Sequence, residues 1–402
     1  MTIERAYMDH NATAPVRPEA VEAVARVLAL TGNPSSVHAE GRAAHKIVED
    51  ARVAVAALVN AKPAEITFTS GGTEAANLAL HAARNALGIR RIVLSSVEHD
   101  AVRLAAAHSG LEVEVLPVNE NGIADLAALA GLLDAPGKGR TLVALMLANN
   151  ETGVIQPVAE AAAMARAAGA FMLTDAVQAV GRMPVDFVAL GADMMLLSGH
   201  KLGSPQGIGA LVWRDELAFE PLIRGGGQEL RRRSGTENVP GIAGFGAAAR
   251  AAARDADAYT RIAELRDALE AALKAAVPDV RIFGENAPRL ANTSLFSSAG
   301  LNAETLLMIL DLDGFAVSAG SACSSGKVAR SHVLEAMGVP PELAKGAIRV
   351  SLGLANTRAE IERFVQSWAR AAVKARAHES DVKTGAPESA SVRAAASSAV
   401  PA

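Results

Sequence analysis

Between Glu65 and Leu197, short apolar runs alternate with stretches of helical periodicity, and this alternation limits the fold more than any other feature of the chain. The strand-like runs are Glu65–Thr69, Arg91–Ser95, Val113–Val118, Leu142–Leu147, Phe171–Thr174 and Asp193–Leu197. Between them lie helical stretches at Ala75–Arg84, Asp100–His108, Ile123–Leu133 and Val158–Ala168. Strands separated by helices need crossover connections, so the expectation is an α/β protein with a mostly parallel sheet covered on both faces. In such sheets a ligand sits beyond the carboxyl ends of the strands.

The residues that follow those strands are polar. Glu98 and His99 follow one, Asn149, Asn150, Glu151 and Thr152 a second, and Asp175 and Gln178 a third. Ser198, His200 and Lys201 follow a fourth. Each alone reads as a cap or turn residue, but four strands ending this way point to one shared site. Lys201 follows a buried run, where partial burial lowers a lysine's pKa and frees its amine for a Schiff base. Ser70-Gly71-Gly72-Thr73-Glu74 joins a strand to a helix. That turn suits a phosphate on the helix N-terminus, and equally an ordinary glycine turn with Thr73 as N-cap.

Outside this region, helices are expected at Pro18–Leu30 and His38–Asn60, split by the turn Gly32-Asn33-Pro34-Ser35-Ser36. A glycine and arginine loop covers Arg224–Glu229 and Arg231–Asn238, and a long helix is expected over Gly241–Ala276. A second domain follows, with strands near Val280–Phe283 and Asn292–Phe296, a helix Ala303–Leu310, a strand Ile348–Leu352 and a helix Thr357–Lys374. The single cysteine, Cys323, lies in Ser318–Gly326 among small residues, so it reads as an exposed, reactive thiol. One cysteine permits no intrachain disulfide and fits a cytoplasmic setting. The net charge of −4 suggests neither nucleic acid nor an anionic membrane as main partner. No apolar stretch is long enough to span a bilayer. From Ala377 the chain turns Ser-, Ala- and Pro-rich and is expected to be a disordered tail.

Taken together, these stretches resemble the cysteine desulfurases of the NifS/IscS type, within the class V (fold-type I) pyridoxal-phosphate enzymes. The resemblance runs from about Tyr7 to Arg370. It rests on Asp9-His10-Asn11-Ala12-Thr13, Thr69–Glu74, Glu98-His99, Ala148–Gly153, Asp175–Gln178, Ser198–Lys201, Arg233–Asn238 and Gly320–Cys323, in the family's order. It implies a large domain over 15–255 with a mostly parallel seven-stranded sheet. A smaller α+β domain over 1–14 and 256–376 would carry the cysteine loop, with 377–402 as tail.

The resemblance also implies roles. Lys201 would hold pyridoxal 5'-phosphate, Asp175 would pair with its ring nitrogen and Gln178 with its ring hydroxyl. His99 would stack on the ring and assist proton transfer. Gly72, Thr73, Ser198 and His200 would hold the phosphate, with Thr236 reaching the neighbouring subunit's cofactor in a homodimer. Asn150 would line the cofactor and, with Arg349, bind the substrate. L-cysteine would become L-alanine, its sulfur passing to Cys323 as a persulfide and then to an iron–sulfur scaffold or other acceptor protein. Cys323 could also meet an Fe–S cluster held on such a scaffold. A selenocysteine lyase or a class V aminotransferase stands as the alternative. Ala329-Arg330 departs from the family's usual residues where acceptors would dock, which leaves the partner open.

Overall fold

The computed structural model describes residues 4–134, 139–320 and 330–384. A seven-stranded sheet forms its larger part. The strands lie in the order Ile66–Thr69, Gly209–Trp213, Met194–Ser198, Phe171–Asp175, Thr141–Ala144, Arg91–Ser95 and Glu112–Leu116. Gly209–Trp213 is antiparallel to both its neighbours, and the remaining pairs are parallel. Ile66–Thr69 therefore runs in the same direction as Met194–Ser198. The carboxyl ends of six strands share one edge of the sheet.

Side-chain alternation places the helices. Val143, Met195, Leu197, Ala210 and Val212 face one core with the helices Pro18–Leu28, Ala39–Leu58, Val158–Ala167 and Val239–Arg254. Leu142, Ala144, Leu196, Leu211 and Trp213 face the other, against Gly72–Ala86 and Asp100–His108. Burial on both faces explains why these strands read as continuous apolar runs.

A four-stranded antiparallel sheet forms a second core, in the order Ser318–Ala319, Ile348–Ser351, Thr293–Ser297 and Arg281–Ile282. Phe296 meets Phe364 and Trp368 edge-on there, with ring centroids 6.2 and 5.3 Å apart. The N-terminal strand Ala6–Tyr7 pairs in parallel with Phe315–Ala316, and Asp9 bridges to Ser351.

Three features differ from the sequence expectation. The stretch Gly241–Ala276 is two helices, Val239–Arg254 and Tyr259–Ala276, separated by the short turn Ala256–Ala258. The break falls at Asp255, the C-cap of the first helix, which pairs with Arg17. The strand Gly209–Trp213 was not anticipated. The last helix runs from Arg358 to Thr384, past Ala377, because no glycine or proline interrupts it before Gly385 and Pro387. Among the described residues, no helix is long and apolar enough to cross a membrane.

Candidate active site

A cavity of about 550 Å³ opens at the shared strand edge. Gly72, Thr73, His99, Asn150, Asp175, Gln178, Ser198, His200, Lys201 and Arg349 all line it. The structure thus brings together every expected site residue except two. Thr236 is exposed and borders a separate surface cavity beside Val27–Gly32 and Val239. Cys323 lies outside the described residues.

Each wall of the cavity has a structural cause. The strand Met194–Ser198 ends in a tight turn, Gly199–Lys201, that delivers the lysine. A Cβ on Gly199 would come 2.8 Å from Ser204 Oγ, so the turn can close only with glycine there. Lys201 Nζ donates to the carbonyls of Asn11 at 2.7 Å and Ala12 at 2.8 Å. His200 Nδ1 lies 3.2 Å from Thr13 Oγ1. Burial and the charges of Lys201 and Arg182 lower the His200 pKa to about 4, so this imidazole is neutral at pH 7.

The helix Gly72–Ala86 starts at the cavity with Gly71 as N-cap and no capping side chain. Thr73 lies inside the first turn, so the reading of Thr73 as N-cap does not hold. The first-turn N–H groups and the positive end of the helix dipole meet the cavity there. A Cβ on Gly72 would come 3.3 Å from Val177 Cγ2, so the bare backbone keeps this end open.

Asp175 ends the strand Phe171–Asp175, and its Oδ1 accepts the Val177 N–H at 2.9 Å. Burial raises its pKa, while His99 and Lys201 pull it back. The His99 Nδ1 accepts the Ala101 N–H at 3.0 Å and so caps the helix Asp100–His108. A neutral His99 therefore carries its proton on Nε2. Glu98 is wholly buried, and burial together with Asp175 raises its pKa well above the ordinary carboxylate range.

On the opposite wall, Arg349 Nη1 donates to the Asn150 carbonyl at 3.1 Å and Nη2 to Asp9 Oδ1 at 2.8 Å. Arg349 Nε is buried and has no partner among the described residues. Arg349 lines the cavity, and its planar fork is the shape that a carboxylate binds.

Two residues without an expected role organise this wall. Asn11 is 1 % exposed. Its Nδ2 donates to the Asn150 carbonyl at 3.0 Å, and its own carbonyl accepts from Lys201 and from Gln178 Nε2. Arg182 donates to Gln178 Oε1 and to the His10 carbonyl. Asn11 was visible only as a member of a motif. Arg182 carried no signal beyond being a cation after a buried strand.

The glycine and arginine loop is anchored rather than merely solvated. Glu229, Leu230 and Arg231 adopt left-handed backbone angles, with φ of 46°, 55° and 66°. Non-glycine residues persist there only when their surroundings over-determine them. Glu229 accepts from Arg52 Nη1 at 2.8 Å, Arg52 Nη2 at 3.0 Å and the Phe68 N–H at 2.8 Å. Arg52 also lies 5.0 Å from the Phe68 ring centroid.

Comparison with known proteins identifies the family. Residues 6–364 match the family described as aminotransferase class-V. A cysteine desulfurase of Cereibacter sphaeroides is 44 % identical over 371 residues, covering 90 % of this chain and 95 % of that protein. An IscS-like cysteine desulfurase of Mycobacterium tuberculosis is 41 % identical over 382 residues, covering 92 % and 97 %. The solved structure of a NifS-like protein from Rickettsia africae superposes with a TM-score of 0.85 at 36 % identity, covering 92 % of this chain and all of that one. The chain belongs to the class V aminotransferase family, whose members depend on pyridoxal phosphate. The donor set fits that cofactor: an amine, a buried carboxylate, and an uncapped helix N-terminus share one cavity.

Proposed function

We propose that the chain is a cysteine desulfurase that converts L-cysteine to L-alanine and passes the sulfur to Cys323. The observation that carries the reading is the single cavity joining Lys201, Asp175, His99 and the start of the Gly72–Ala86 helix to Arg349. The names of the relatives support the same activity.

Pyridoxal phosphate, when bound, supplies the electron sink for chemistry at the substrate Cα. Lys201 would hold it through Nζ. Asp175 would face the ring nitrogen and Gln178 the ring hydroxyl, with Gly72, Thr73, Ser198 and His200 around the phosphate. Arg349 and Asn150, which both line the cavity, would take the substrate carboxylate. Because His99 accepts at Nδ1, its neutral ring offers a proton at Nε2 rather than taking one there. Lys201 is then the group left to accept the Cα proton. The Cys323 thiolate would take the substrate sulfur as a persulfide, and the remaining three-carbon fragment would leave, protonated, as L-alanine.

The chain would act as a cytoplasmic homodimer with Thr236 serving the neighbouring site. Its position away from its own cavity supports this assignment. A large domain over 15–255 and a small one over 1–14 and 256–376 accord with the two separate sheets. The acceptor would be an iron–sulfur scaffold or another sulfur carrier protein.

The test is to incubate the purified, cofactor-loaded protein with L-cysteine, assay alanine, and weigh the Cys323 peptide. Alanine with one added sulfur on that peptide is expected. Alanine without added sulfur would replace the desulfurase reading with a lyase.

A further inference from the structure

The motif Asp9-His10-Asn11-Ala12-Thr13 supplies Lys201 with its two backbone acceptors, but its first side chain has no task in the chemistry above. Arg349 lines the cavity and Asp9 does not. The Asp9 carboxylate instead spans two strands of the smaller sheet. Its Oδ1 accepts from Arg349 Nη2 at 2.8 Å, and its Oδ2 from Ser318 Oγ at 2.7 Å. Ser318 and Arg349 are directly paired across the antiparallel strands Ser318–Ala319 and Ile348–Ser351. Side chains paired in this way stand on one face, so both meet the same carboxylate. The Asp9 backbone is fixed as well: it bridges to Ser351, and its carbonyl accepts the Ala12 N–H at 3.0 Å. The Arg349 and Asp9 side chains are 3 % and 16 % exposed, so solvent does little to screen the pair.

A guanidinium held at one nitrogen can still turn about that contact. Arg349 is held at two, Nη2 by Asp9 and Nη1 by the Asn150 carbonyl at 3.1 Å. Anchors on different nitrogens fix the plane of the fork, and a carboxylate bound bidentately depends on that plane. We infer that Asp9, buttressed by Ser318, is a positioning residue that sets the plane of Arg349 for a substrate carboxylate. The inference rests on the desulfurase reading, which makes L-cysteine the ligand. A different role for the same carboxylate predicts the opposite sign. Were Asp9 only a counter-charge, its removal would leave a bare cation that holds a carboxylate more tightly.

The experiment uses 3-mercaptopropionate, which carries the carboxylate and thiol of L-cysteine but no amine. Its Kd is measured by calorimetry on the cofactor-loaded protein and on Asp9→Asn, Asp9→Glu, Ser318→Ala, Ser318→Thr and Asp9→Asn with Ser318→Ala. Asp9→Asn keeps the shape and loses the charge, whereas Asp9→Glu keeps the charge and displaces it. Both should weaken binding by about fivefold, the worth of one hydrogen bond. Ser318→Ala should weaken it by about threefold and Ser318→Thr hardly at all, with the double variant no weaker than Asp9→Asn, because Ser318 acts through the carboxylate. KM for L-cysteine should rise in the same pattern with kcat within about twofold. The Kd of the apoprotein for pyridoxal phosphate should stay within about twofold of the parent, whereas a general loosening of the segment that serves Lys201 would weaken it in step. Asp9→Glu at the parent affinity with Asp9→Asn tighter would overturn the inference in favour of a counter-charge, and a parallel loss of cofactor affinity would reduce Asp9 to a structural prop. Should the Asp9 variants fail to fold by circular dichroism, Ser318→Ala against Ser318→Thr decides alone. A parent that forms no alanine but binds 3-mercaptopropionate in the expected pattern would sink the desulfurase reading and leave the positioning role standing. A parent that binds no 3-mercaptopropionate overturns the inference, whatever its alanine production.

Discussion

Arg182 and Gln178 stand four residues apart in the turn after Phe171–Asp175, and the guanidinium of the first donates to the amide oxygen of the second. This fixes an orientation that electron density rarely settles for an amide. With Oε1 occupied by Arg182 and one Nε2 hydrogen given to the Asn11 carbonyl, the remaining Nε2 hydrogen is the one available to the cavity. Gln178 is a donor there, as its proposed place beside the ring hydroxyl would require. Arg182→Met should release the amide and weaken cofactor binding by about tenfold, the worth of one hydrogen bond of about 1 to 1.5 kcal/mol. Fluorescence titration of the apoprotein with pyridoxal phosphate measures it, and an unchanged Kd would refute the assignment.

Arg349 offers a planar fork of which one edge is already committed to Asp9 and Asn150. Arg349→Lys keeps the charge and loses the fork. The expected result is a 10- to 100-fold fall in kcat/KM for L-cysteine, about 1.5 to 3 kcal/mol, carried mostly by KM. Steady-state alanine production checks it. A loss confined to kcat would place Arg349 in the chemical step instead.

His10 packs against Tyr7 at a ring-centroid distance of 5.2 Å and lies over Gly353. Burial, and then the charge of Arg182, lower its pKa from 6.5 to about 4. The unfolded chain therefore binds the proton first as pH falls. The stability contribution is full above pH 6.5 and is lost as pH drops toward 4, by at most about 3 kcal/mol. In urea unfolding at pH 7 and pH 4.5, the parent should lose more stability over that interval than His10→Asn. Equal losses would show that His10 titrates normally in the fold.

The buried pair Arg52–Glu229 holds the left-handed turn at Glu229–Arg231. Arg52→Met would leave a carboxylate enclosed without its partner, a loss of about 3 to 5 kcal/mol. Removing both charges, as Arg52→Met with Glu229→Gln, should cost less than Arg52→Met alone. Denaturant midpoints with unchanged m-values provide the comparison.

Most of the large sheet is legible in the sequence because burial on both faces writes itself as unbroken apolar runs. The cavity is legible because each strand hands its last polar residues to one edge. The strand Gly209–Trp213 is not, since no helix separates it from Met194–Ser198 and alternation cannot announce it. The break at Asp255 is set by an ion pair to Arg17, a contact across 238 positions with no local glycine or proline to mark it. Asn11 escapes for a different reason. It serves Lys201 and Gln178 through a backbone carbonyl, which every residue owns, so its identity carries no trace of that task.

The carbonyl of Asn11 has a further consequence for synthesis. The segment that bears it is moored by Met8 to Ala316 and by His10 and Asn11 to Ser351. A nascent chain emerging from the ribosome presents Lys201, Asp175 and the Gly72 helix long before Ser351 exists. Gln178, Arg182 and His200 already hold the segment of the lysine's two acceptors, and the last strand, Ile348–Ser351, adds the anchors from Ser351. A chain that stops before Ile348 would lack both those anchors and Arg349 on the cavity wall, so the pocket is finished last in the order of synthesis.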